Sequence, residues 1–328
     1  MEEFTTMVST PLANSISHIR ENEARYDNQA KRLLADPQVL TRILKGTIEE
    51  FSEMSLEDIG HAIKGTIEIS DSFKDKLAMS SVDEKKQESY IPDEGEIVFD
   101  IKCRAVLPEE MVDIIINVEA QKSSKETVLR YPLDKRIIYY LSRLVSEQKD
   151  TYFFNSDYGR IKKVTSIWIC MDAAADKDSI NEICFTQKSL FGEPVELNNL
   201  NLMRAYIISI RKDDNPEKSK NNLIAMLEVL FGSDKKEIKK KRLVDEHQMI
   251  MTTEFESEVN DMCNLSQVVK EKGIAEGRAE GRAEGATKER LRTINKMLQK
   301  GYSSEDILEL GFTSEEINEA EKSLFVDV

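Results

Sequence analysis

Cysteine is scarce. Its four residues, Cys103, Cys170, Cys184 and Cys263, stand singly with no CxxC spacing. That argues against a zinc cluster and reads as reduced cytoplasmic thiols. Histidine is scarcer: His18, His61 and His247 lie far apart, so no histidine-centred catalytic cluster is legible. No apolar run approaches the roughly 18 residues of a membrane span. The opening stretch, MEEFTTMVSTPLANSIS, has neither the basic start nor the apolar core of a signal peptide. A cytoplasmic protein with no membrane partner is the expectation.

Positive charge is also short overall, with 46 Lys and Arg against 61 Asp and Glu and a formal net charge of −15. Taken whole, that argues against nucleic acid, because phosphate binding needs Lys and Arg. The distribution reads differently. Residues 122–163 hold ten basic residues, Arg130, Arg136 and Arg143 among them, against five acidic ones. Residues 301–328 hold eight acidic residues against one lysine, a net −7. A basic island in an acidic chain keeps DNA in play.

At 328 residues the chain is long enough for one large domain or two smaller ones, and 40% apolar residues can fill a core. Its organising stretch is EIVFDIKCRAVLPEEMVDIIINVEAQ, residues 96–121. Alternation predicts two strands flanking a polar break. In the first, Ile97, Phe99, Ile101 and Cys103 fall on one face, with Asp100 and Lys102 on the other. In the second, Ile115, Asn117, Glu119 and Gln121 oppose Ile116, Val118 and Ala120. Both runs are otherwise apolar, yet each carries a carboxylate near its end. Asp100 and Glu119 therefore read either as metal ligands on adjacent strands or as edge residues facing water.

Residues 1–28 read as a flexible N-terminal segment. After Asp36-Pro37 a helix is predicted, with Leu40, Ile43, Leu44, Ile48, Phe51 and Met54 on one arc. Glu50 borders that arc and could look into a cleft; Glu49 points away. A short helix at 55–64, a strand at 65–69 and a polar surface loop at 71–94 follow. Residues 131–148 read as a helix with a core arc of Leu133, Ile137, Ile138, Leu141, Leu144 and Val145. Its flank sets Arg136 and Arg143 beside Tyr139 and Tyr140, which suits phosphate and base contacts or a solvated flank. Further strands are predicted at 162–172 and 202–211, and a helix at 221–231. The repeat IAEGRAEGRAEGA spaces glycine every fourth residue, costing a lone helix roughly 1 kcal/mol each relative to alanine. It reads as a flexible linker or as a helix packed on another copy. Beyond it, Ser303 with Asp306 and Thr313 with Glu316 form capping-box patterns in a layout like a helix-turn-helix.

The residues that carry a family resemblance are FDIKCRA, IINVEAQ, RYPLDKRIIYYLSRLVSEQ, YGRIKKVTSIWICM, DMCNLSQVVKEKG and the glycine-repeat tail. Together they resemble the PD-(D/E)XK nuclease family transposases, related to recombination-promoting nucleases, over roughly residues 30–328. The resemblance implies an α/β fold: a restriction-endonuclease-like mixed sheet flanked by helices, with an α-helical C-terminal tail. The nuclease-like domain would span 29–255, and an oligomerisation tail 256–328.

It also implies a metal-dependent DNA endonuclease linked to transposition or recombination. Asp100 and Glu119, with the Ala120 carbonyl and Glu50, would hold Mg²⁺ or Mn²⁺. Gln121 stands where the family pattern has lysine, and Phe99 replaces the proline of its PD pair. Gln121 would position water, and Lys102 would supply the missing charge ahead of Lys122. Arg130, Arg136, Tyr140 and Arg143 would face DNA. The alternative is a nuclease-like scaffold that binds DNA or self-associates without cutting.

Overall fold

The computed structural model describes residues 25–69, 88–91, 95–107, 112–121, 123–171, 177–211 and 218–326. It divides into two compact units, 1–267 and 268–328. Of the first 28 residues, only 25–28 are described, and they are helical; Lys122 lies outside the described residues.

Helix α1 (25–35) ends at Asp36, whose carboxylate accepts the Gln38 N–H at 2.9 Å and caps α2 (Pro37–Thr47). Pro37 suits the first helical position because its missing N–H would have no partner there anyway. The helix stops at Ile48, and a single 3₁₀ turn, Glu49–Phe51, completes the arc. Leu40, Ile43, Leu44, Ile48 and Phe51 are all buried, as their spacing predicts, and Met54 packs against them. Ser55 caps α3 (Leu56–Ala62) through the Asp58 N–H.

Six strands form an open mixed sheet in the order β1 (Ile63–Ile69), β4 (Ile101–Leu107), β5 (Val112–Gln121), β6 (Lys163–Cys170), β8 (Met203–Ser209), β7 (Ser179–Cys184). Strands β1, β4 and β5 are antiparallel, β5, β6 and β8 parallel, and β7 closes antiparallel on β8. A separate ribbon pairs β2 (Glu88–Ile91) with β3 (Gly95–Val98), so part of the stretch read as a loop is strand. Strand β7 was not legible, because its alternation is interrupted by polar residues and it sits exposed at the sheet edge.

The first run of the organising stretch is not one strand. The chain breaks at Phe99-Asp100, β3 leaves for the ribbon, and β4 begins at Ile101. Consequently Phe99 does not share a face with Ile101 and Cys103. It meets the Tyr140 ring edge-on at 5.4 Å, while Ile101 and Cys103 belong to the opposite layer.

That opposite layer is the larger core. Helices α1 to α3, α6 (Asn222–Phe231), α7 (Lys236–Asp245) and the first turns of α8 (Thr253–Gln299) cover the apolar sheet face. Lys239 is buried at its edge, donating to the Leu230 and Gly232 carbonyls left open at the end of α6. On the other face, after the short α4 (Glu126–Leu129), α5 (Leu133–Ser146) packs on Ile115, Val164, Trp168 and Cys170. Ile138 departs from its expected core position and is 57% exposed, whereas Tyr140 and Arg143 are buried. The sheet face beneath α5 carries a polar row, Asn117, Glu119 and Gln121. The helix therefore turns Arg136 toward it with Tyr140 beside that arginine, and apolar content alone misplaces its centre.

In the second unit the last turns of α8 pack with α9 (Ser304–Glu309) and α10 (Ser314–Val326) around Ile294, Ile307, Ile317 and Ala320. Ser303 and Asp306 form the capping box that their spacing predicts, and Thr313 and Glu316 make the same reciprocal bonds. Phe255, Val259 and Met262 of α8 lie in the first unit's core, and the glycine repeat is part of the continuous helix. Among the described residues, no helix is long and apolar enough to cross a membrane.

Candidate metal and phosphate site

The break at Asp100 positions the candidate site. Register places Ile101 opposite Val118, so Asp100 lies just beyond the paired part of β4, beside Glu119 and Ala120. There the two residues lock together. The Asp100 N–H donates to Glu119 Oε1 at 3.1 Å, and Asp100 Oδ2 accepts the Ala120 N–H at 3.0 Å. Each side chain replaces a backbone partner that a continuing strand would have supplied. Within a strand, a residue's N–H and C=O point toward the same edge, so the Ala120 carbonyl is directed to Asp100's side of β5.

Glu119 is 0% exposed, and its second oxygen, Oε2, is buried without a hydrogen bond. Burial, reinforced by the neighbouring Asp100 charge, pushes its carboxyl up to about 8. Arg136 places its Nη2 3.7 Å from Oε2. Arg136 is held in an aromatic frame, over the rings of Tyr140 at 4.9 Å, Trp168 at 5.2 Å and Tyr131 at 5.4 Å. Its guanidinium also donates to the Tyr140 hydroxyl at 2.8 Å, to the Tyr131 hydroxyl and, at 3.4 Å, to Gln121 Oε1. Gln121 additionally accepts from Tyr131 at 3.4 Å. Arg136 keeps 28% side-chain exposure, so one edge of this cation faces outward.

On the other side of the pair, Lys31 of α1 places its Nζ 2.8 Å from Asp100 Oδ1. Sequence reasoning missed Lys31, although the border argument used for Glu50 would have found it. On α1 Lys31 lies about 60° from Leu34 at 100° per residue, on the shoulder of the Ala30, Leu33, Leu34 face. All three are buried, and Lys31 itself is 8% exposed.

The structure does not bring every expected residue here. Glu50 binds Lys163 Nζ at 2.5 Å. Burial works against its charge, but the lysine outweighs that and holds its carboxyl below the usual range. Lys163 sits opposite Ile114 and Trp168 opposite Glu119, so the lysine that holds Glu50 is rooted five strand residues, about 16 Å, from the position beside Glu119. Lys102 is engaged elsewhere, its Nζ on Glu147 at 2.5 Å and over the Phe99 ring. The bend at Asp100 ends the alternation that would have set the two on one face.

The expected DNA shoulder is also rearranged. Arg143 is 2% exposed, Tyr140 is buried, and Arg136 turns to the carboxylates; Arg130 alone of the four is exposed. Arg130 holds φ +65°, closing α4 in the left-handed conformation.

Among the described residues no three His, Cys, Asp or Glu cluster as a ready metal cage. The donor set that is present consists of two carboxylates and a strand-end carbonyl. Such hard oxygen ligands suit Mg²⁺, which keeps several waters and needs few protein ligands. The orphaned, buried Oε2 of Glu119 is the observation that such an ion would satisfy. No family model matches the chain, and neither a curated protein nor a solved structure matches it.

Proposed function

We propose that this chain is a metal-dependent endonuclease acting on DNA phosphodiesters, with Asp100, Glu119 and the Ala120 carbonyl holding Mg²⁺ or Mn²⁺. The observation that carries the reading is the Asp100–Glu119 lock, which holds a buried carboxylate oxygen without a hydrogen bond beside an arginine. Two carboxylates on adjacent strands of a mixed sheet are what the resemblance to PD-(D/E)XK nuclease family transposases implies. The restriction-endonuclease-like fold and a role in transposition or recombination belong to the same proposal.

A bound divalent ion would acidify a water and neutralise charge on the phosphate. The remaining work falls to the chain's own side chains. Arg136 supplies the fixed positive charge that Gln121 lacks, its fork held by Tyr131, Tyr140 and Trp168 and aimed at Glu119. Gln121, a neutral donor and acceptor, orients a water without adding charge. Exposed Arg130, outside this cluster, contacts the DNA backbone. Self-association through the α8 repeat completes the proposal, since Gly281 and Gly285 face open space where a neighbouring helix could approach.

A non-cleaving scaffold is the second reading, favoured by Gln121 in the lysine position and by Lys31 already paired with Asp100. Incubation of supercoiled plasmid with and without Mg²⁺ separates the two. Nicking that requires Mg²⁺ and is lost in Glu119→Gln supports the enzyme. Binding without nicking under Mg²⁺ or Mn²⁺ supports the scaffold.

A further inference from the structure

The oxygens of the carboxylate pair are not equally available. Asp100 Oδ2 is tied to the Ala120 N–H and Glu119 Oε1 to the Asp100 N–H, both backbone groups fixed by the strands. Glu119 Oε2 carries no hydrogen bond. The fourth oxygen, Asp100 Oδ1, is held by a side chain, Lys31 Nζ at 2.8 Å, with both partners mostly buried. Each hydrogen-bonded oxygen keeps a second lone pair for a ligand, but at Oδ1 an arriving cation meets the Lys31 ammonium, so the two positive charges compete for the same carboxylate.

We infer that Lys31 is a built-in competitor for the metal: its ammonium neutralises Asp100 in the metal-free protein and must swing away before a divalent ion binds. The inference rests on the metal-site reading above and adds its regulation. Lys is suited to the task. Its ammonium is a single point charge on a flexible four-carbon stem, so it can leave one oxygen without dismantling a bidentate fork. Lys31 also stands on α1, outside the β4–β5 strand pair that fixes the carboxylates, so its departure need not disturb the Asp100–Glu119 bonds. Removing its charge while keeping its stem should tighten metal binding, the opposite of what loss of a supporting residue does.

Calorimetric titration of the full chain with Mn²⁺ tests this, comparing the parent with Lys31→Met and Lys31→Arg. The methionine variant should bind about tenfold more tightly, the factor expected where the ion pair keeps roughly nine molecules in ten closed to metal. The arginine variant should bind more weakly than the parent, because its fork can hold the carboxylate bidentately. Parent-strength or weaker binding by Lys31→Met overturns the inference while leaving the metal site standing. Should that variant fail to fold, Lys31→Arg decides alone, and binding at parent strength overturns it. No metal binding by the parent or either variant overturns the metal-site reading itself, and the inference with it.

Discussion

Asp100 and Glu119 are joined through each other's backbone: the Asp100 amide donates to the Glu119 carboxylate, and the Asp100 carboxylate accepts from the amide after Glu119. Neither side chain can be truncated without leaving a strand-end N–H unpaired, at a cost of about 1–3 kcal/mol. Substitutions that probe the chemistry should therefore keep an acceptor oxygen, as Asp100→Asn and Glu119→Gln do.

The raised carboxyl of Glu119 makes stability depend on pH with a definite sign. Folded Glu119 releases its proton only near pH 8, whereas an unfolded glutamate does so in the ordinary carboxylate range. Between those limits the folded state binds more protons, so this residue's contribution to stability declines as pH rises. Urea midpoints of the metal-free protein at pH 5 and pH 8.5 should therefore fall further for the parent than for Glu119→Gln. Equal falls in the two would show that Glu119 titrates normally in the fold.

Arg136 should carry a cost that Lys102 does not. Loss of a preorganised cation from a reacting centre typically costs about a hundredfold or more, roughly 2.7 kcal/mol of barrier. Arg136→Gln should lower the single-turnover cleavage rate by about that factor. Lys102→Ala, which breaks the ion pair with Glu147, should change it by less than about threefold. A reversed order would return the missing charge to Lys102.

A packing prediction concerns the helix layer behind the sheet. Gly46 of α2 lies so close to α6 that an added Cβ would stand 2.7 Å from Leu223 Cδ2 and 3.3 Å from its Cβ. Leu223 is itself buried and has little room to yield. Gly46→Ala should therefore destabilise the first unit by about 1–3 kcal/mol, the usual cost of overpacking. Thermal melts should show this as a lowered Tm. An unchanged Tm would mean that the two helices separate freely.

Much of the scaffold was legible because periodicity reports burial. The α2 arc, the Asn117–Glu119–Gln121 face of β5, the interior strands β6 and β8 and the caps at Ser303 and Thr313 all follow from local spacing. The bend at Phe99-Asp100 was not legible, since each residue there suits a strand and only pairing partners decide where the strand ends. From that bend follow the misplaced face of Phe99 and the loss of the face that Lys102 was expected to share with Asp100. Arg143 was misread for a related reason. A charged residue reads as solvent-facing until tertiary packing is known, and Arg143 is 2% exposed. Lys31 and Glu50 show the limit of one helix seen alone: both border an apolar arc, and only tertiary register tells which reaches Asp100.

The most direct measurement is Mn²⁺ calorimetry on four proteins: the parent, Asp100→Asn, Glu119→Gln and Glu50→Gln. The Asp100–Glu119 site predicts saturable binding by the parent, binding by Glu50→Gln of equal strength because that carboxylate is engaged by Lys163, and loss of binding in the other two. Undiminished binding in both Asp100→Asn and Glu119→Gln would contradict it, as would loss of binding in Glu50→Gln alone.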